Sequence, residues 1–236
     1  MLSRISAKLV GAPIKEQSLY DAIDCLLSFS NKDGTFSAFE RKRTSSWIEI
    51  MNPSESLRNM IVDYPHVECT SSAIQGLILF RKLYPGYRDE DIENCIKNAV
   101  MFIENKQKND GSWYATYGVC FTYGAFFAMK RISGWGEHYI STETEAYADA
   151  GRPHAVNTAW AMLALIYSGQ TERDPTPLYR AARQLISMQL ETGEFPQQEH
   201  VGCFTSNFLF NYPNYRNLFP IWALGEFRRR LTASKD

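Results

Sequence analysis

The sequence predicts an all-α fold in which two kinds of helix alternate as outer and inner layers. Three observations carry this. Apolar residues return at helical spacing, as in Ile92, Ile96, Ala99, Val100 and Ile103, which gives the 90–106 segment one apolar face. A unit recurs along the chain: amphipathic stretches ending in a tight glycine turn and an aromatic (Asp21 to Phe36, Asn98 to Trp113, Arg180 to Phe195) alternate with more apolar stretches that begin near a threonine (Thr70 to Phe80, Thr122 to Lys130, Thr158 to Tyr167). Nowhere does period-two alternation persist over a useful length, so no major strand is expected.

Each element has a local cause. Pro85-Gly86 closes the helix before it, and Asp89, Glu90 and Asp91 suit the positive N-terminal end of the next one. Thr176 is read as an N-cap with Pro177 as first helical residue, and Gly193 ends that helix after Gln189. The segment from Leu218 to Arg230 takes the part of a last inner helix. One interval is too short: Gly111 is followed by the turn glycine Gly134 after 23 residues, whereas Gly134 to Gly193 is 59. Arg131-Ile132 joins an inner helix directly to Ser133-Gly-Trp-Gly-Glu137, so one outer helix is expected to be missing near 130–134.

Composition narrows the function classes. With 44% apolar and 22% charged residues, the 236-residue chain has the balance of a folded domain that buries a sizeable core. A net charge of −1 gives no reason to expect a nucleic-acid partner. Five cysteines (Cys25, Cys69, Cys95, Cys120, Cys203) without a CxxC pair argue against a disulfide framework or a zinc site. The longest apolar run, Ala159 to Tyr167, is far short of the roughly 20 residues that span a bilayer. Aromatics reach 14%, more than a simple helical core needs.

Gln107-Lys-Asn-Asp-Gly-Ser-Trp113 has the form of a QW repeat, and Tyr117-Gly-Val-Cys-Phe-Thr-Tyr-Gly124 follows at once. Together with Val67-Glu-Cys-Thr70, Arg173-Asp-Pro-Thr-Pro177 and Phe195-Pro-Gln-Gln198, these stretches resemble the oxidosqualene cyclases that form triterpene and sterol rings, with motifs plant-like in style. The resemblance runs from about Leu2 to Arg230 and covers only the last third of such an enzyme. It implies that residues 1–236 form a C-terminal cyclase-type domain, part of an α/α-toroid. Met1 to Lys8 lacks acids, like a targeting peptide, but Leu19-Tyr-Asp-Ala22 resembles the family's interior, so Met1 is read as internal or as a truncated gene model.

The resemblance also implies site residues. The family protonates an epoxide with the Asp of an Asp-Cys-Thr-Ala-Glu motif, which this chain does not contain. Cys69 then matches a cysteine that supports that acid. Carbocations formed afterwards are stabilised by aromatic faces, and Phe39, Tyr117, Phe121, Tyr123, Phe204 and Tyr212 fall at cavity positions. Two of these depart from the pattern, with Tyr117 where Trp is usual and Phe39 where Tyr is usual. Gln107, Trp113, Gln189 and Phe195 are structural, each amide reaching backbone groups at the next helix end. Glu68, Asp63 and Glu199 are the candidate stand-in acids, although an acid at a helix N-terminus ordinarily stays ionised. His154 precedes an inner helix and is weighed as cavity-facing against a satisfied core histidine.

By family, the activity implied is cyclisation of 2,3-oxidosqualene, without cofactor or metal, at the cytosolic face of the endoplasmic reticulum or on lipid droplets, with peripheral membrane association. The alternative is an inactive fragment that binds lipid or a full-length cyclase. A third reading, a prenyltransferase β-subunit, shares the toroid but needs zinc ligands that the sequence does not supply.

Overall fold

A computed structural model describes residues 14–54, 59, 61–128, 137, 141–204 and 208–233, the side chain of residue 128 excepted. The targeting-like N-terminus and the junction at 131–136, where an outer helix is expected to be missing, lie outside the described residues. Helices dominate, in the order α1 (Glu16–Ser28), α2 (Val67–Leu83), α3 (Asp89–Asn105), α4 (Cys120–Ala128), the single turn α5 (Ser141–Thr144), α6 (Ala155–Tyr167), α7 (Gln170–Arg173), α8 (Thr176–Met188) and α9 (Pro213–Ala233). A short 3₁₀ helix covers Ser46–Met51.

The two layers are present. α2, α4, α6 and α9 pack each on the next as an inner row, with α3 behind α2, α8 behind α6 and α1 against α3. No packing of comparable extent joins α9 back to α2, so the row is an open arc among the described residues. α6 sits at its centre and buries every residue from Ala155 to Ile166, as an apolar helix covered on all sides must. Its Met162, Leu163 and Ile166 meet Leu178 and Leu185 of α8, Phe195, and Ala223 and Phe227 of α9. Each such aliphatic side chain stabilises the fold by roughly 1.5–3 kcal/mol.

The outer helices are amphipathic, with small differences from expectation. On α3 the buried stripe is Ile92, Cys95, Ala99 and Ile103, and Val100 points outward. α8 buries Leu178, Ala181, Ala182 and Leu185. Its cap is displaced: Pro175 is the N-cap, Thr176 is already helical, and its N–H donates to Asp174 Oδ1 at 3.0 Å.

The three turns closing the outer helices share one construction. Gly34, Gly111 and Gly193 sit at φ of 77°, 85° and 86°, the left-handed region open to glycine. In each, an amide three residues before the glycine donates to the carbonyl one residue after it, at 2.8 Å (Asn31 to Thr35, Lys108 to Ser112, Leu190 to Glu194). The Gln107 and Gln189 amides close their own turns on the carbonyls of Gly111 (2.9 Å) and Gly193 (2.8 Å). They do not reach the next helix end, because the four-residue span brings the glycine carbonyl nearer. Trp113 donates its indole N–H to Ile103 at 2.7 Å, and Phe195 is fully buried.

One strand pair escaped the sequence reading. β1 (Gly202–Phe204) and β2 (Phe208–Phe210) run antiparallel, with Gly202 opposite Phe210. A Cβ on Gly202 would lie 2.5 Å from the Phe210 ring, so the pairing depends on glycine there.

Candidate functional site

The chain leading into each inner helix is held by side chains near the first turn of a neighbour. His66 is the N-cap of α2, and its backbone N–H donates to Phe36. Thr70, one turn in, accepts from Phe36 N–H at 3.0 Å, which ties α2 to the first aromatic turn. Glu68 in that first turn accepts from the N–H groups of Thr116 (2.6 Å) and Tyr117 (3.1 Å), which lead into α4. Glu137 in turn accepts from the α4 amides of Phe121 (2.9 Å) and Thr122 (2.6 Å). Asn157 of α6 donates to the Glu137 carbonyl at 3.2 Å. The first turns of α2, α4 and α6 therefore lie side by side, and β1 joins them through Val119 N–H donating to Val201 at 2.9 Å.

Aromatic rings gather at this end. The Tyr117 ring lies 5.8 Å from Phe204 of β1 and meets the His66 ring edge to face at 5.4 Å. Tyr123 rests 4.7 Å from Trp160, and its hydroxyl and that of Tyr215 interact. Tyr215 and Phe219 of α9 then pack edge-on against Trp160 at 5.8 and 5.5 Å. Cys69 is half-buried and packs against the cluster formed by Ile23, Phe36, Leu77 and Ile92.

Burial governs the electrostatics. It pushes the Cys69 thiol up to about 12, with Glu68 and Asp63 adding to the effect. Burial also raises Tyr117 and Tyr123. Glu68 is 4% exposed, and its carboxyl is raised by desolvation against the pull of its backbone donors. The helix-terminus expectation of an ionised acid thus meets an opposing, larger effect at this position. His66 is lowered, chiefly by burial, so the imidazole is held neutral.

Several expected site residues stand elsewhere. Phe121 is buried on another side, 5.9 Å from Tyr114 and beneath the Lys108 ammonium at 4.7 Å, because two residues along a helix rotate the direction by about 200° from that of Tyr123. Phe39 is 73% exposed, on a strap whose Ala38, Phe39 and Glu40 amides all donate to Asp63 (2.9, 2.7 and 2.9 Å). That occupies both Asp63 oxygens and removes it as a free acid. Tyr212 is 51% exposed, yet its ring lies 5.3 Å from Tyr215 at the edge of the aromatic group. Glu199 is paired with Arg152, which holds its carboxyl below the usual range. His154 is a buried cap, with Nδ1 accepting from Val156 N–H at 3.2 Å and Nε2 3.2 Å from the Glu199 carbonyl oxygen, so both ring nitrogens are taken by backbone.

Sequence reasoning missed His66, Trp160 and Tyr215. A signal for the first was present: Pro65-His66 and Pro153-His154 precede two inner helices at equivalent positions, with Thr70 and Thr158 four residues on. Among the described residues no group of His, Cys, Asp and Glu has the arrangement of a metal site, and no helix is long and apolar enough to cross a membrane.

An arc of inner and outer helices with a cluster of edge-on and tilted aromatic rings at one end defines a segment of a helical toroid. The squalene-hopene cyclase C-terminal domain family matches residues 2–133 and 128–229, and the chain belongs to this family. It is 37% identical to alpha-onocerin synthase LCD of Lycopodium clavatum over all of this chain and 34% of that protein. Lanosterol synthase of Mus musculus is 34% identical over 91% of this chain and 33% of its own length. Cycloartenol synthase of Dictyostelium discoideum is 34% identical over 94% and 35%. The chain thus spans about a third of the length of the curated relatives it matches. The alignment to the onocerin synthase runs over 264 positions against 236 residues here, a difference of 28.

Proposed function

We propose that this chain supplies part of the wall of a pocket in which 2,3-oxidosqualene is cyclised to a triterpenoid or sterol skeleton. The observation that carries the reading is the packing of Tyr117 against Phe204 and against the cluster that holds Tyr123 and Trp160. Their ring faces suit developing cations, and the half-buried setting limits attack by water. By family resemblance, Cys69 is assigned the support of the initiating acid, which in the family stands on an Asp-Cys-Thr-Ala-Glu motif that this chain does not contain. No step is assigned to a proton donor in this chain. The relatives' printed names, synthases of onocerin, lanosterol and cycloartenol, support a squalene-derived epoxide as substrate class. Peripheral association with endoplasmic reticulum or lipid droplets follows from so apolar a substrate.

The two overlapping family matches and the 28-position difference support the loss of one outer helix between α4 and Glu137. A second reading, an inactive fragment that binds lipid or a full-length cyclase, is favoured by the apolar side chains left uncovered on α9, Leu218 and Ile221. Expression in yeast that lacks its own cyclase and accumulates oxidosqualene separates the two. Triterpene alcohols detected by mass spectrometry support a cyclase; soluble protein without product supports the second reading.

A further inference from the structure

We infer that Glu68 is a positioning residue of this site, a single-oxygen clamp that holds Cys69 of α2 and Tyr117 of the α4 lead-in at a fixed separation. This rests on the reading above for its catalytic meaning, but not for its geometry. Glu68 and Cys69 are consecutive in the first turn of α2, while Thr116 and Tyr117 are consecutive in the segment before α4. Both amide donors converge on one carboxyl oxygen, Oε1, at 2.6 and 3.1 Å. A second tie runs in parallel, with Thr116 Oγ1 lying 3.0 Å from His66 Nδ1. Two residues of each segment are thereby fixed, and the Tyr117 ring is left between His66 and Phe204.

Oε1 takes both bonds from the α4 lead-in, and the Glu68 backbone N–H is a further donor to the same carboxyl. Among the described residues no cation is paired with Glu68, and toward the α4 lead-in it acts as an acceptor through Oε1 alone. An amide presents the same acceptor, whereas a methyl presents none. Burial first, then the Glu68 and Asp63 carboxyls, raise the Cys69 thiol.

The test needs no substrate. Iodoacetamide alkylation of the full chain is followed by peptide mass spectrometry across a range of pH, which resolves Cys69 from the other cysteines. Cys95, Cys120 and Cys203 are buried and report global unfolding within the same sample. In E68Q, which loses the charge but keeps the acceptor, any change in Cys69 rate or pH profile reports the lost carboxylate charge. In E68A, Cys69 should react about tenfold faster than in E68Q while the buried three stay protected, since the local tie is lost as well. If E68A exposes all four cysteines, E68D, which keeps the charge but draws the acceptor back by one methylene, takes its place and should react about tenfold faster than the wild type. Cys69 reacting as fast in E68Q as in E68A would mean that charge, not the acceptor, is what counts, and would overturn the inference. Unchanged Cys69 reactivity in a folded E68A would overturn it equally. Failure to find product in yeast leaves this readout untouched and counts only against the proposed activity.

Discussion

Gly124 closes the Phe121-Thr-Tyr-Gly124 run, and substituting it tests how α4 is seated. A Cβ at this position would stand 2.2 Å from the Trp113 carbonyl oxygen, 2.9 Å from its carbon and 3.3 Å from Ala115 N. All three are backbone atoms, so no side chain can swing away. Ordinarily Gly→Ala inside a helix stabilises by about 0.5–1 kcal/mol. Here the overlap forces α4 from the 113–115 segment, at an overpacking cost of about 1–3 kcal/mol. It also strains the Ala115 N–H to Cys120 bond of 3.2 Å, and an unmade buried bond costs roughly 1–3 kcal/mol more. The net expectation for G124A is a loss of about 2 kcal/mol or more, or roughly 4–8 °C in Tm for a chain of this size. Gly225 on α9 is the internal control, because nothing lies within 4 Å of its Cβ position. G225A should therefore gain about 0.5–1 kcal/mol. Urea unfolding monitored by circular dichroism measures both. Equal effects of the two substitutions, or a G124A chain as stable as wild type, would refute the close-approach argument.

Glu137 accepts through both oxygens, one from Phe121 and one from Thr122, so E137Q turns an NH₂ group onto an N–H donor. A loss of about 1–3 kcal/mol in urea unfolding is expected, against less than about 1 kcal/mol for E68Q. Thr70 both accepts from Phe36 N–H at 3.0 Å and donates to its carbonyl at 3.3 Å, fully buried. T70V keeps the shape and should cost about 1–3 kcal/mol by leaving that N–H unsatisfied, read from the same unfolding curves. His154 is lowered below its ordinary value by burial, with the Glu199 carbonyl and charge opposing and Arg152 reinforcing. The unfolded chain then binds the extra proton more readily, so stability is full above the unfolded value near 6.5 and falls as pH drops below it. H154N, which keeps a capping oxygen but does not titrate, should flatten that fall in midpoint-versus-pH plots; parallel curves for the two chains would rule out the His154 contribution.

What was legible in the sequence is what repeats with a helical or fifteen-residue period. Asp21 to Phe36, Asn98 to Trp113 and Arg180 to Phe195 place the aromatic at the same distance each time, and the three turns prove to share one bonding pattern. The stripes on α3 and α8 follow from spacing alone. Less legible were features that depend on long-range closure. β1 and β2 are three residues each and exist because Gly202 admits the Phe210 ring. Glu137 looked like part of a turn, because its side chain's reach back to the α4 amides cannot be read from one dimension. Phe121 and Tyr123 looked alike in a common motif, yet the helix turns them to different neighbours.

The seams between inner helices solve one problem with three chemistries, and the differences bear on the site. Between α6 and the segment before β1, Gln198 offers an acceptor to Ala155 N–H at 2.8 Å and a donor to the Pro153 carbonyl at 3.0 Å, a task only an amide performs. At α4, two N–H groups meet two separate oxygens of Glu137, a task for a carboxylate. At the α2–α4 seam both donors from the neighbouring segment share Oε1 of Glu68, so a proton on the other oxygen leaves both of them bonded. Of these three seams, then, only the one carrying Cys69 and Tyr117 can take up a proton and keep both ties across it. A site that must remain fixed while charge develops beside it is best served by such a tie, since a reorganising contact would forfeit the preorganisation on which electrostatic stabilisation depends.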